Sequence, residues 1–353
     1  NWCLPIASYI FYGITDLKML PILLTATIVF YILGILIRRS NSKKASFFTA
    51  LGVIAGVGML VYFKYLNFFI DSFETLITAL GFNANITTLN ILFPLGISFF
   101  TFRLISYLIE INRGKIEPTK DFIAFATYIA FFPTLLAGPI DRPNGFLPQL
   151  KSARVFDYNI AMDGTRQILW GIFKKMVIAD NMALFIGSVW GNLADQNATT
   201  LLIAALAYPV QLYADFSGYS DMAIGVGKIL GIRVAINFRY PFFARNVAEY
   251  WRSWHMSLTS WVTDYVFMPL NVRFRNFGNL GLISAVIVNM IIIGIWHGAN
   301  WTFAVFGLYH GLLFVPLILS GSFGKRKKLK ANNYGLPSMN DFVKMLSTYL
   351  LVA

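Results

Sequence analysis

Long apolar runs separated by short polar turns recur along the chain, at 19–37, 47–63, 67–80, 91–109, 122–137, 168–189, 201–216, 280–296 and 301–319. Runs approaching the roughly 20 residues that cross the hydrocarbon of a bilayer predict spanning or re-entrant helices. The expected fold is all-α: a polytopic helical bundle in a membrane, with re-entrant or interfacial helices around a central cavity. No fixed-period repeat and no Gly/Ser- or Pro-rich linker interrupts the pattern, which predicts one integral domain over 1–353. The chain starts inside one apolar run, 2–12, and stops inside another, 342–353, so both ends read as truncated. Lys18 is the first positive charge and the runs after it are long enough to stay as anchors, so no cleavable signal is expected.

Some stretches depart from the pattern in ways that point to a cavity. Residues 240–269 mix Arg245, Glu249, Arg252, His255 and Asp264 with Trp251, Trp254 and Trp261. That is too polar to cross lipid alone and too aromatic for a free loop, so it predicts an interfacial or re-entrant segment. Pro94 and Gly96 open one apolar run, and Pro133 with Gly138 and Pro139 interrupts another. Broken helices at membrane depth are tolerated only where they line a protein-walled or wet cavity.

Composition narrows the class further. Hydrophobic residues make up 57% and charged residues 13% of the 353, against about 25% charged in a soluble domain, which excludes an ordinary soluble globule. The net charge of +13 does not point to nucleic acid, because no basic face with stacking aromatics stands apart from the apolar runs. Basic residues crowd the connections instead: Arg38, Arg39, Lys43 and Lys44 in one, and Lys325, Arg326, Lys327, Lys328 and Lys330 in another. Both loops are expected on the cytoplasmic side, with membrane lipid as the partner, and the uncharged stretch 81–90 on the exterior. Cys3 is the single cysteine, so no internal disulfide and no cysteine metal cluster can form.

Three histidines are present: His255, His297 and His310. An ionisable group at membrane depth is costly and is a functional candidate by default. His297 lies between Trp296 and Gly298, with Asn300 and Trp301 close behind. Two tryptophans can wall a slot around it, and carrying the loop orientation forward puts this turn in the outer half of the membrane. Catalysis and a hydrogen-bonded place in an aromatic belt are both open for it. If 245–255 is a helix, Arg245, Glu249, Arg252 and His255 share one face. That face suits an anionic donor arriving from the cytoplasm, or an amphipathic surface whose charges pair with each other and with headgroups. His310, nine residues into an apolar run, reads as a satisfied bundle residue. The stretch 215–221, with Asp215, Ser217 and Asp221, is expected to be a hydrogen-bonded structural cluster rather than a metal site, because it lacks a calcium-loop spacing and nearby Cys or His. Walker, Gly-x-Ser-x-Gly and His-Glu-x-x-His motifs are absent.

Residues 94–320 resemble the membrane-bound O-acyltransferase superfamily through separate stretches in the expected order. These are 94–102, 131–133 with 137–140, 215–221, and 250–258 followed by 294–311. The two histidines about forty residues apart, after Trp254 and after Trp296, carry most of the likeness. The run 146–150 after Gly138-Pro139, together with Trp296-His297-Gly298-Ala299, is most similar to the bacterial alginate and peptidoglycan O-acetyltransferase branch, with the D-alanine exporter of teichoic acid as a close relative. Tyr250-Trp251-Arg252-Ser253 departs from the Phe-Trp-Arg-Arg of the pattern.

The resemblance implies an acyl group, acetyl in this branch, passed from a cytoplasmic thioester to a hydroxyl across the membrane. The donor would be acetyl-CoA or an acyl-carrier phosphopantetheine, a substrate rather than a bound cofactor. Expected partners are a cytoplasmic donor or carrier protein and an extracytoplasmic transferase, in a bacterial inner membrane. His297 and His255 match the superfamily's active-site histidines. Arg245, Arg252 and Glu249 are expected at the donor, and Trp296, Asn300, Trp254, Asp215 and Ser217 along the cavity. A non-catalytic transporter or scaffold is the rival reading.

Overall fold

The computed structural model describes residues 2–82, 88–89, 91–325 and 337–353. Most of the neutral turn at 81–90 and the basic residues from Arg326 to Lys330 lie outside the described residues. Among the described residues all the regular elements are helices, as the pattern predicts. Four stretches among the described residues are long and apolar enough to cross a membrane: Leu17–Arg39, Ser42–Ala79, Met256–His297 and Trp301–Leu319. The chain folds as two compact units, residues 1–155 with 296–301, and residues 156–295 with 302–353.

The first unit is built around the helix Ile97–Asn112, thirteen of whose sixteen residues are buried. A helix buried on every side belongs in the middle of a bundle. Leu20–Arg39 and Ser42–Leu60 pack on it closely, because Gly52 leaves room for Leu108: a Cβ there would come within 2.1 Å of the leucine side chain. Arg103, fully buried in this central helix, is held by main-chain oxygens. It donates to the carbonyls of Tyr128 at 3.1 Å, Ile129 at 3.2 Å, Thr134 at 3.0 Å and Pro139 at 3.1 Å, and to the Thr134 hydroxyl. The Asp141 carboxylate is 3.7 Å away. One cation thereby supplies donors to the broken segment around Pro133 and Pro139, whose carbonyls have no regular helix to satisfy them.

Two boundaries differ from the sequence reading for clear reasons. The runs 47–63 and 67–80 are one continuous 38-residue helix, Ser42–Ala79, because the polar break at Lys64 is absorbed by a π turn, Val61–Tyr65. The run 122–137 is two helices, Phe122–Ala130 and Phe132–Leu135, since Pro133 has no N–H to offer the Ile129 carbonyl and Phe131 leaves the helix at φ −53°, ψ 106°.

In the second unit Tyr158–Ile172 runs through a π turn, Phe173–Ala179, into Asp180–Trp190 and packs against the 32-residue helix Ala198–Ile229. Gly164 and Gly225 face each other there, each blocking a Cβ on the other at 2.7 and 2.5 Å from a main-chain oxygen. Residues 241–262 then form the short helices Pro241–Phe243, Val247–Trp251 and Met256–Val262 before the chain enters Gly278–His297.

Candidate functional site

His297 is the last residue of the helix Gly278–His297, and it falls with the turn 296–301 in the first unit. The helix presents it at its C-terminal end, where carbonyls lack intrahelical partners. Trp296 is buried against Phe102, stacked at 5.8 Å, and Phe99, edge-on at 5.4 Å, both from the central helix. Its ring lies 5.1 Å from that of His297, which itself stays exposed. The Lys64 ammonium donates to the Trp296 carbonyl and sits over the indole at 5.4 Å. At the far end of the turn Trp301 contacts Phe68 at 5.4 Å and donates to the Ser72 hydroxyl at 3.2 Å. Asn300 is exposed between these two anchors.

The second unit holds the remaining candidates, and here one expectation is corrected. Arg245, Glu249, Arg252 and His255 do not share a helical face, because the helix Val247–Trp251 is only five residues long and ends before Arg252. His255 instead takes a left-handed backbone, φ 42°, at the start of Met256–Val262, and is 1% exposed. Its ring meets Phe216 at 4.6 Å. Asn237 fixes this corner: it donates to the Ser220 hydroxyl at 3.0 Å, accepts from the Ser257 hydroxyl at 2.6 Å, and its carbonyl accepts from the Met256 N–H at 2.8 Å. Trp254 is buried in a stack on Tyr250, 5.4 Å between centroids.

Asn246 caps Val247–Trp251 by accepting the Glu249 N–H at 2.9 Å, and the Glu249 carboxylate turns back onto Arg245 through two side-chain bonds of 2.8 and 3.1 Å. Asp341, from the helix Met339–Val352, approaches the other side of the same guanidinium at 3.6 Å. Burial would raise the Glu249 carboxyl, but the hydrogen bonds and charge of Arg245 outweigh it and hold the group below the usual glutamate range. The Arg245 guanidinium is correspondingly raised, chiefly by Glu249. Arg245 is thus engaged by two carboxylates.

Asp215, Ser217 and Asp221 sit inside the long helix Ala198–Ile229 and not at its end. The facing π turn supplies two lysines. Lys175 pairs with Asp215 and Asp180, both at 2.8 Å, while Lys174 pairs with Asp221 and donates to the Ser217 hydroxyl at 2.9 Å. Ser217 and Asp221 line a cavity of about 600 Å³ with Lys174, Arg233, Asn237 and Arg239; Asp215 is not among its lining residues. His310 accepts the Trp251 indole N–H at 3.3 Å and is 2% exposed, as a satisfied bundle histidine would be.

A family model for membrane-bound O-acyltransferases matches residues 115–331, a segment that carries all three histidines. The chain belongs to the membrane-bound O-acyltransferase family. It is 37% identical over 317 residues to a protein of Azotobacter vinelandii named "Probable alginate O-acetylase AlgI", covering 88% of this chain and 62% of that one. It is 34% identical over 342 residues to the peptidoglycan O-acetyltransferase of Helicobacter pylori, again 88% and 62%. A teichoic acid D-alanyltransferase of Streptococcus thermophilus is 33% identical over 282 residues, 72% of this chain and 65% of that protein. The chain therefore spans about three-fifths of the length of these curated relatives.

The family segment begins after Lys64, Phe99, Phe102 and Arg103, so the side chains gripping the His297 turn lie outside it. Sequence reasoning passed over Lys64, Arg103, Lys174 and Asn237. Lys64 carried one usable signal, a lone cation between two apolar runs.

Proposed function

We propose that this protein transfers an acyl group, acetyl by the names of its most similar relatives, from a thioester donor to a hydroxyl of a cell-envelope polysaccharide or of a partner transferase, in the bacterial inner membrane. The observation that carries the reading is His297, exposed at a helix end beside a tryptophan fixed by Phe99, Phe102 and Lys64. Neutral imidazole takes the proton of the acceptor hydroxyl as its oxygen bonds to the thioester carbonyl carbon. The carbon–sulfur bond then breaks, and the thiolate leaves with the proton returned by the imidazolium. Arg252 serves the donor phosphates, with Arg245 and Glu249 as its scaffold, because guanidinium suits phosphate oxygens. Donors of coenzyme A and of phosphopantetheine type share that chemistry. D-alanyl transfer is the second reading, favoured by the teichoic acid relative.

The test follows acyl thioester consumed against acyl ester formed in vesicles carrying the full-length protein. His297→Gln should lower turnover about 10²- to 10⁴-fold, the usual contribution of one general base. A folded His297→Gln protein with near-normal turnover sinks the reading. Transport without thioester cleavage points to a carrier instead.

A further inference from the structure

Lys64 is a half-buried ammonium in the middle of Ser42–Ala79, a helix whose other charges are Lys43, Lys44, Asp71 and Glu74, and it takes no part in the proposed proton transfer. A charge half-buried among aromatic rings is costly unless its donors are satisfied. Its donor reaches the carbonyl of Trp296, the residue immediately before His297. That carbonyl belongs to the last turn of Gly278–His297, where acceptors lack helical partners and the helix dipole favours a cation. The same ammonium lies over the Trp296 ring at 5.4 Å and the Tyr65 ring at 5.6 Å.

Lys64 does not act alone. Phe68 and Ser72 follow at i+4 and i+8, so all three lie on one face of Ser42–Ala79. Lys64 holds the turn at Trp296, while Phe68 and Ser72 hold it at Trp301. The histidine between them sits in a turn held at one end through its main chain and at the other through an indole, both by a single helix. Lys64 itself lies within the π turn Val61–Tyr65, a local irregularity of a kind found at functional sites.

We infer that Lys64 is the positioning residue of the acyl-transfer site, its ammonium fixing the Trp296 carbonyl so that His297 presents its imidazole in one orientation. The inference rests on reading His297 as the base. Loss of the charged donor releases the peptide before His297, and misplacement of a catalytic group by about an ångström slows a reaction without loosening its substrates.

Lys64→Met, Lys64→Gln and Lys64→Arg in full-length protein, with acetyl-CoA as donor and release of free thiol as readout, test this. Lys64→Met should lower kcat about 10- to 100-fold, the worth of one hydrogen bond from a charged donor, with KM for acetyl-CoA within about twofold of wild type. Lys64→Arg should recover most of the loss. Added to His297→Gln, Lys64→Met should cost nothing more, since two residues acting through one step are not additive. Unchanged kcat in Lys64→Met, an arginine no better than methionine, or a full loss in the His297→Gln background each overturns the inference. If Lys64→Met fails to accumulate, Lys64→Gln decides: slower than Lys64→Arg at equal KM supports positioning by charge, and equal rates overturn it. His297→Gln at wild-type turnover defeats the base itself, whatever the Lys64 variants do.

Discussion

Replacing Arg103 with methionine removes the cation that holds the broken segment of the first unit together. Arg103 is fully buried, and its two terminal nitrogens reach four main-chain carbonyls between 3.0 and 3.2 Å, with Asp141 at 3.7 Å and itself 4% exposed. Methionine keeps much of the volume and none of the donors. Stranding a buried charge by deleting its partner costs about 3–5 kcal/mol, and buried acceptors left without a donor add about 1–3 kcal/mol each, not additively. Against a total stability of about 5–15 kcal/mol, that is enough to empty the folded state. Titration of detergent-solubilised protein with a denaturing surfactant should show the midpoint of Arg103→Met far below wild type. Asp141→Asn in the same background should restore part of it, because the stranded carboxylate is then neutral. A loss under about 1 kcal/mol, or a double variant less stable than Arg103→Met alone, would refute the assignment of Arg103 as the tie.

Lys174→Met should destabilise the second unit by about 1–3 kcal/mol, because Asp221 loses its ion pair and keeps the Gln167 amide as a donor, with Asp221→Asn recovering part of it in the same unfolding assay; independent, additive losses would contradict the pairing. Glu249 is held below its ordinary value near 4.5, so its contribution is fully present above that value and is lost as pH falls through the depressed one. The stability gap between wild type and Glu249→Gln should therefore be constant at neutral pH and close below about pH 4.5; a gap that widens on acidification would reverse the sign.

The helical character and the family likeness were legible because apolar length and the rare histidine stretches are local signals. The run 201–216 announced a helix, although not that it continues to Ile229, since Asp215, Ser217 and Asp221 look like an end until Lys174 and Lys175 pair with them. Those lysines stand some forty residues earlier, and no local pattern links them to their partners. The supposed charged face of 245–255 failed for the opposite reason. Periodicity alone predicts one face across residues where the chain in fact breaks and His255 turns left-handed. Lys64 was invisible as part of a site because its partner is a carbonyl 232 residues away, and a carbonyl has no sequence signature.

The uninterrupted helix Ser42–Ala79 also acts as a ruler. From Lys44 near its start to Lys64 there are twenty residues, about 30 Å at 1.5 Å each. That distance equals the hydrocarbon thickness of an ordinary bilayer. With the helix along the membrane normal and Lys43 and Lys44 at one polar boundary, the Lys64 ammonium reaches the opposite boundary, and the Trp296 carbonyl it grips is at the same depth. The histidine turn then lies at a level that water reaches, and a polar molecule meets it without entering lipid.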